Sequence, residues 1–253
     1  GYSAQAIERN QAAVNYAREL AHANSLGLAL AFASTLYGFM RNWTETLAFA
    51  EEAIALAHEQ RLVFWGTIGA LNRGRALVGL GRYDEGLALL QEGITAYGAT
   101  GADLASAGNL CVVAENYGYA GRVAEGVRLI AESLALVEMY EASVWRSEFH
   151  RVKGDLLLAQ AGESQKAPQS LTGSLQAEAE ACFLEAIAIA RRQEAKILEL
   201  RATMSVARLW QQQGKPHVAY TTLSPLYNWF TEGFDTGDLR EAKALIEELS
   251  LGV

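Results

Sequence analysis

The sequence carries an internal repeat with a period of 40 residues, and this feature limits the possible folds more than any other. Trp43, Tyr83 and Val123 lie 40 residues apart, and each follows a short turn sequence such as Gly81-Arg82. After each of these anchor residues, apolar or small residues recur at offsets four, seven, ten and eleven, which places them on one face of an α-helix. Such a repeat predicts a stack of similar helical units, because each unit must cover its apolar face with a neighbour.

The segment before each anchor predicts another helix that packs closely on the first. In every copy one position is small and the position three residues later is large. The small residues are Ser34, Gly74, Ala114, Gly154 and Ala207, and the large residues are Tyr37, Leu77, Tyr117, Leu157 and Trp210. A small residue lets the partner helix approach closely, and the large residue fills the adjoining gap.

The step from small to large, followed by a Gly-x-Tyr turn and Ala-x-x-x-Leu spacing, resembles the tetratricopeptide (TPR) motif and is clearest between Gly74 and Gly93. TPR repeats usually have about 34 residues, and the additional residues here fall between helix pairs, as from Tyr97 to Asp103. The resemblance implies an all-α fold, a right-handed α-solenoid of antiparallel helix pairs. We expect about five repeats of about 40 residues, followed by a C-terminal capping helix.

We expect one TPR-like domain over residues 1–253. Its predicted parts are a half repeat at 1–22, repeats at 25–59, 62–98, 103–140, 143–193 and 196–232, and the capping helix at 235–250. The copy at 143–193 is longer because the polar, turn-rich residues 162–173 are inserted before its anchor Gln176. Glu180 occupies an offset that is apolar or aromatic elsewhere. The first helix matches the second helix of a repeat, so we expect the array to continue upstream.

Composition narrows the class of function. The net charge of −8 argues against a protein that binds duplex DNA, which needs clustered Lys and Arg. The sequence contains no run of about 18 apolar residues, the length that a helix needs to span a bilayer. The two cysteines, Cys111 and Cys182, lie in apolar helical segments and are expected to be buried thiols, which fits a cytoplasmic location.

Motifs for catalysis are missing from the sequence. The four histidines are scattered without metal-ligand spacing, and neither a phosphate-binding glycine loop nor a GxSxG elbow occurs. We therefore expect no enzyme activity, metal or cofactor in this chain. The aromatic residues Tyr227, Trp229, Phe230 and Phe234 have two interpretations: they fix the capping helix to the last repeat, or they form a stacking platform for a ligand.

The TPR resemblance implies binding through a concave groove lined by the first helix of each pair. Three positions of that helix are expected to face the groove, and the Lys/Asn pattern of carboxylate-clamp TPR domains is missing from them. The positions are Thr35, Arg75, Glu115, Asp155 and Arg208, then Ala31, Leu71, Cys111, Arg151 and Met204, then Leu28, Ile68, Gly108, Glu148 and Arg201. The candidate binding residues are Arg75, Glu148, Arg151, Asp155, Arg201 and Arg208. They form either a charge network that neutralises itself or a groove for an acidic peptide segment.

The last third of the chain has a further resemblance. It is carried by the segments Ala190-Arg191-Arg192-Gln193, Leu209 to Lys215 and Trp229 to Thr236. It resembles, most strongly over residues 143–250, the C-terminal end of bacterial signalling proteins that join a class III adenylate/guanylate cyclase domain, a predicted AAA-type ATPase and a TPR-like array. The resemblance implies a regulatory or scaffold module that binds a protein or peptide segment, for instance a neighbouring ATPase or cyclase domain. The alternative is a sensor that holds a small ligand in the groove.

Overall fold

The structure, a computed structural model, describes residues 1–100, 106–139, 145–163 and 169–252. Within these ranges every regular element is an α-helix, which confirms the predicted all-α class. The helices are α1 (Ser3–Glu19), α2 (Ala23–Phe39), α3 (Trp43–Gln60), α4 (Val63–Gly79), α5 (Tyr83–Ala99), α6 (Ser106–Tyr119), α7 (Val123–Met139), α8 (Arg146–Glu163), α9 (Gln169–Arg192), α10 (Lys196–Gln212), α11 (Pro216–Tyr227) and α12 (Gly237–Ser250). The predicted boundaries at 103, 140 and 143 lie outside the described residues.

Five anchor residues of the repeat are the first residues of helices, whereas the expected anchor Gln176 lies inside α9, seven residues after its first residue Gln169. α1, α3, α5, α7 and α11 begin at Ser3, Trp43, Tyr83, Val123 and Pro216, the positions that the 40-residue spacing predicts. Proline is favourable at the start of α11, because the first residues of a helix have no intrahelical partner for their N–H groups.

The turns before these helices repeat one backbone conformation. The residue two positions before the helix has a positive φ at Arg41 (56°), Gly81 (82°), Gly121 (72°) and Gly214 (74°). This left-handed region favours glycine, because a Cβ atom crowds the following carbonyl oxygen. Ala21, Arg61 and Glu194 have the same conformation two positions before α2, α4 and α10, so this turn precedes both helices of a pair.

The longer copy of the repeat differs from the sequence prediction. Residues 162–173 were expected to form an inserted turn region, but α8 continues to Glu163 and α9 already begins at Gln169. Residues 164–168 lie outside the described residues. The added turns of α9 are helical although their sequence is polar, because Leu175 packs against the core that contains Ala179 and Phe183.

The mismatch at Glu180 has a local explanation. Trp210 Nε1 donates a hydrogen bond of 2.7 Å to Glu180 Oε1. A partly buried indole N–H needs an acceptor, and the carboxylate supplies it at a position that is apolar in the other copies.

The small positions of the repeat are points of close helix approach. A Cβ atom at Gly74 of α4 would lie 2.9 Å from Gly86 O and 3.0 Å from Leu90 N in α5. At Gly154 of α8 it would lie 2.4 Å from a ring carbon of Phe183 in α9. Gly98 was expected in the connection between helix pairs, but it belongs to the last turn of α5, where a Cβ atom would meet no heavy atom within 4 Å.

The last helix, α12, is amphipathic as the sequence predicts. Leu239, Ala242, Leu245 and Leu249 are buried in one core cluster with residues of α10 and α11. Phe230 lies in the same cluster and the partly buried Tyr227 packs against it, while Trp229 and Phe234 are 41% and 48% exposed. Phe230 therefore fixes α12 to the preceding helices, in agreement with the first interpretation of the aromatic residues.

The chain divides into two compact units. The N-terminal unit is Tyr2–Asn116, and the C-terminal unit is Tyr117–Val253 together with Gly1. In the N-terminal unit each helix from α1 to α4 packs on the next one along the chain, and α2 also packs on α4.

Candidate functional site

Most of the candidate residues form one charge network in the C-terminal unit. On α8, Arg151 donates to both carboxylate oxygens of Glu148 at 3.0 and 2.9 Å, and its Nη1 donates to Asp155 Oδ2 at 2.6 Å. The three residues are three or four positions apart, so one helical face presents them together. The side chains of Glu148 and Arg151 are 9% and 8% exposed.

Arg201 of α10 joins this network to α12. Its Nη2 and Nε donate to Asp238 Oδ2 at 2.7 and 3.0 Å, and its Nη1 donates to Glu148 Oε2 at 3.4 Å. Burial alone would lower the pKa of Arg201, but the charges of Asp238 and Glu148 outweigh burial and raise it above its ordinary value. The guanidinium therefore stays charged, and it links helices α8, α10 and α12.

Arg208 lies two turns further along α10 and makes a separate ion pair. Its Nη2 donates to Glu241 Oε1 of α12, and both side chains are more than one third exposed. A pair of this exposure contributes little to stability, because water screens both charges.

The C-terminal charges neutralise one another. Among the described residues, the inner network joins two arginines to three carboxylates, which gives these five side chains a formal charge of −1. An acidic segment would have to displace Glu148 or Asp238 from buried hydrogen bonds, and breaking a buried ion pair typically costs about 3–5 kcal/mol. The geometry agrees with the self-neutralising interpretation and gives no support to a groove for an acidic segment.

A second charge cluster involves Arg191 in the last turn of α9. Arg191 Nε donates to Glu199 Oε1 at 2.7 Å, and Lys196 Nζ donates to Glu199 Oε2 at 2.8 Å. Burial alone would raise the pKa of Glu199, but hydrogen bonds and charge from its two basic partners lower it below the ordinary value. Arg191 thus stabilises a nearly buried carboxylate.

Arg75 belongs to the N-terminal unit and is buried. Its residue is 5% exposed, and its Cζ lies 5.2 Å from the ring centre of Phe39 and 5.7 Å from that of Trp43. A cation between two aromatic rings is held by their negative faces. Arg75 was expected to line an open groove, and its burial makes it a packing residue.

One complete row of the predicted groove positions is also buried. Ala31, Leu71, Cys111, Arg151 and Met204 are each 7% exposed or less. These positions face neighbouring helices, so the predicted groove face is rotated relative to the face that the structure exposes. The other two rows of expected groove positions contain less buried residues. Leu28 is exposed, and Thr35, Ile68 and Glu115 are partly exposed.

Two large apolar side chains of α2 are exposed. Leu28 is 41% exposed and Phe32 is 58% exposed, one helical turn apart. Phe64 and Ile68, 40 residues after Asn24 and Leu28, are partly exposed on the packed neighbour α4. We refer to Leu28, Phe32, Phe64 and Ile68 as the α2–α4 apolar face.

Polar side chains hold the two helices of this face together. Trp65 Nε1 donates to Asn24 Oδ1 at 2.8 Å, and Asn72 Nδ2 donates to Ser34 Oγ and Thr35 Oγ1, both at 2.9 Å. α2 contains no charged residue over its 17 positions. The α2 part of this face therefore carries no charged side chain, and apolar contact is the interaction that it offers.

Two residues that define the exposed apolar face and the charge network were not predicted from the sequence. Phe32 follows the buried Ala31 by one position and was not assigned to the groove. Asp238 lies in the polar first turn of α12, 37 residues from Arg201, and no local pattern connects the two. The exposure of Phe32 could have been inferred from Leu28, since residues four apart share a helical face.

Metal and redox chemistry find no support in the described part of the chain. Within it, no three His, Cys, Asp or Glu residues come together as a possible metal site. Cys111 and Cys182 are both buried, and burial raises the pKa of the Cys182 thiol, which makes it less reactive. Among the described helices, none combines the length and apolar character of a membrane span.

Comparison with known proteins gives no relationship at the level of sequence. No protein-family model matches the chain, and no curated protein matches it significantly.

Proposed function

We propose that the chain is a TPR-like interaction module without catalytic activity, cofactor, nucleic-acid partner or membrane contact. In this proposal it is a right-handed α-solenoid of about five helix-pair repeats closed by α12. The 40-residue spacing of the helix starts at Trp43, Tyr83 and Val123 supports the repeat, as do the positive φ values two residues before them.

The resemblance of the C-terminal third supports a place for the module in a larger protein. We infer that it is the C-terminal regulatory part of a cytoplasmic bacterial signalling protein with nucleotide cyclase and ATPase domains. Its partner in this proposal is one of those domains, bound through a protein segment.

The working surface in this proposal is the α2–α4 apolar face. The single observation that carries it is the exposure of Leu28 and Phe32 on a helix without any charged residue. Single exposed apolar residues are common on protein surfaces, but an apolar patch on one helical face is typical of an interaction site. The arginine network supports the fold instead, because its charges are already engaged.

The chemistry of the partner follows from the surface. An apolar helix or extended segment would bury Leu28 and Phe32, and its binding would depend weakly on salt. Aromatic side chains that become buried in an interface are frequent hot spots, and truncating one typically costs about 2 kcal/mol or more of binding free energy. By that figure, Phe32→Ala should weaken binding by at least about tenfold, because 1.4 kcal/mol corresponds to a factor of ten in Kd.

Titration calorimetry with the purified ATPase or cyclase domain of the same protein tests this proposal. We expect the chain to bind, Phe32→Ala to bind at least about tenfold more weakly, and Tyr83→Ala to bind like the unchanged chain. Tyr83 is a suitable control because it is also aromatic and 45% exposed, but begins a second helix.

Equal binding by both variants, or strong weakening by salt, would contradict the assignment of the surface. If neither domain binds the unchanged chain, the regulatory proposal is wrong and the small-ligand sensor becomes the favoured function.

A further inference from the structure

A polar side chain lies at the end of the α2–α4 apolar face. Asn72 follows Ile68 by one helical turn and therefore continues its row on α4. Its Nδ2 donates to Ser34 Oγ and Thr35 Oγ1 of α2, both at 2.9 Å. Asn72 is 8% exposed, so its amide group is held between the two helices.

The two hydroxyl groups determine which way the Asn72 amide points. Ser34 Oγ and Thr35 Oγ1 both donate to Ala31 O, at 2.8 and 2.9 Å, so each hydroxyl has already used its one hydrogen. The hydroxyls can then only accept, and the NH2 group is the part of the amide that donates to them. Turning the amide over would break both bonds to Ala31 O, because the hydroxyls would have to donate to Asn72 Oδ1 instead.

This orientation leaves Asn72 Oδ1 as an acceptor. Among the residues that the structure describes, none donates a hydrogen bond to this oxygen. It is not one of the fully buried side-chain atoms that lack a partner, so it is in contact with solvent. A carbonyl oxygen held in one orientation binds a donor without first losing side-chain entropy. A segment that covered the face without offering a donor would leave this oxygen desolvated and unpaired.

The surroundings of Asn72 favour an uncharged donor. Helix α2 has no charged residue, and Arg75, three residues after Asn72 on α4, is a buried cation beside the rings of Phe39 and Trp43. Residues three apart share a helical face, so a lysine or arginine of the partner would approach a like charge. It would also bury its own charge without a carboxylate to pair with on α2.

We propose that Asn72 Oδ1 accepts a hydrogen bond from a main-chain N–H of the partner segment, and that this segment binds in an extended conformation. The acceptor adjoins the α2–α4 apolar face, so this inference rests on the proposed working surface. An α-helix uses its N–H groups internally beyond the first turn, whereas an extended segment leaves them free. A main-chain donor is present at every residue except proline, so the segment needs no polar side chain and can cover Phe32 and Ile68 with apolar ones.

A peptide probe that contains no part of the ATPase or cyclase domain tests this inference. A short peptide is selected from a random phage-displayed library on the full chain, with counter-selection on Phe32→Ala. The synthetic peptide is then N-methylated at one residue at a time, which removes one main-chain donor without adding charge. We expect N-methylation at one residue to weaken binding to the unchanged chain by about tenfold, the effect of one hydrogen bond to an acceptor that would otherwise be left unpaired.

Asn72→Leu provides the matched comparison. Leucine is similar in size but has no acceptor, and Ser34 and Thr35 keep Ala31 O as their partner. Binding of the unmodified peptide should weaken by about tenfold, and the N-methyl group should then have no further effect. Asn72→Ala removes the same oxygen without adding apolar volume, and it replaces the leucine variant if that variant does not fold.

Several results would overturn the inference. They are the lack of any selected peptide that depends on Phe32, and effects of N-methylation that are equal in the unchanged chain and in Asn72→Leu, as a purely structural role of Asn72 predicts. A third is a loss in Asn72→Leu that follows a lysine or arginine side chain of the peptide instead of a main-chain N–H.

The outcome is separable from that of the proposed function. If N-methylation depends on Asn72 but neither the ATPase nor the cyclase domain binds, only the proposed partner is wrong. If one of these domains binds through Phe32 but no N-methylation effect depends on Asn72, only the assigned acceptor is wrong.

Discussion

Replacing Gly74 by leucine tests the close contact of α4 and α5 against a control in the same pair of helices. A Cβ atom at Gly74 would lie 2.9 Å from Gly86 O, 2.9 Å from Leu90 Cγ and 3.0 Å from Leu90 N. Two of these three atoms belong to the backbone of α5, so a helix has to move and not only a side chain. Gly98 in α5 has no heavy atom within 4 Å of its Cβ position.

The difference in the free energy of unfolding between Gly74→Leu and Gly98→Leu measures the cost of overpacking the contact between α4 and α5. Replacing glycine by leucine inside a helix improves helix propensity by up to about 1 kcal/mol, and this gain applies to both variants. Overpacking a close contact typically costs about 1–3 kcal/mol. Leucine adds a whole side chain where even one carbon overlaps, so we expect Gly74→Leu to be about 3 kcal/mol less stable than Gly98→Leu.

Urea unfolding followed by far-UV circular dichroism measures this difference. With a slope of about 3 kcal/mol per M, the upper value for small proteins, the two midpoints should differ by about 1 M. Equal midpoints would show that α4 and α5 do not approach as closely as described. The physical reason for a small residue at this repeat position would then be wrong.

Three further predictions concern charge and backbone. Arg201→Ala should lower the free energy of unfolding by about 3–5 kcal/mol, because the buried Asp238 loses the guanidinium that donates to it. Arg208→Ala should cost at most about 1 kcal/mol, and similar losses in urea unfolding would contradict this difference. In thermal unfolding, Gly81→Ala should destabilise by about 1 kcal/mol and Arg61→Gly should stabilise, since both residues have a positive φ; shifts of the same sign would refute this. The stability difference between the unchanged chain and Glu199→Gln should be complete above the unfolded-state pKa of about 4.3 and should shrink as pH falls through the lowered folded-state pKa; a difference independent of pH would contradict the ion pairs of Glu199.

The helix starts could be predicted from the sequence because the signal is local and repeated. Trp43, Tyr83 and Val123 begin helices as their spacing predicts. The start of α9 could not be predicted, because its first helical turns consist of polar residues that are also common in loops. What decides their conformation is the packing of Leu175 on a core formed by residues further along the chain.

The candidate site was harder to predict than the helices. The arginines of the network were found from their repeat positions, but whether a charge is open or engaged depends on distant residues. Asp238 reaches Arg201 from α12, and Phe39 and Trp43 cover Arg75. The assumed rotation of the first helices was also slightly wrong. Ala31 was expected to face the groove but is buried, and its neighbour Phe32 is exposed instead.

The working surface is tested most directly by hydrogen exchange of the full chain with and without the ATPase or cyclase domain of the same protein. The account predicts slower exchange in peptides that cover residues 24–39 and 63–75, where the α2–α4 apolar face lies. Peptides that cover residues 146–155 and 196–208, which contain the arginine network, should exchange at the same rate in both samples. Protection of the arginine network with an unchanged α2 would contradict the account.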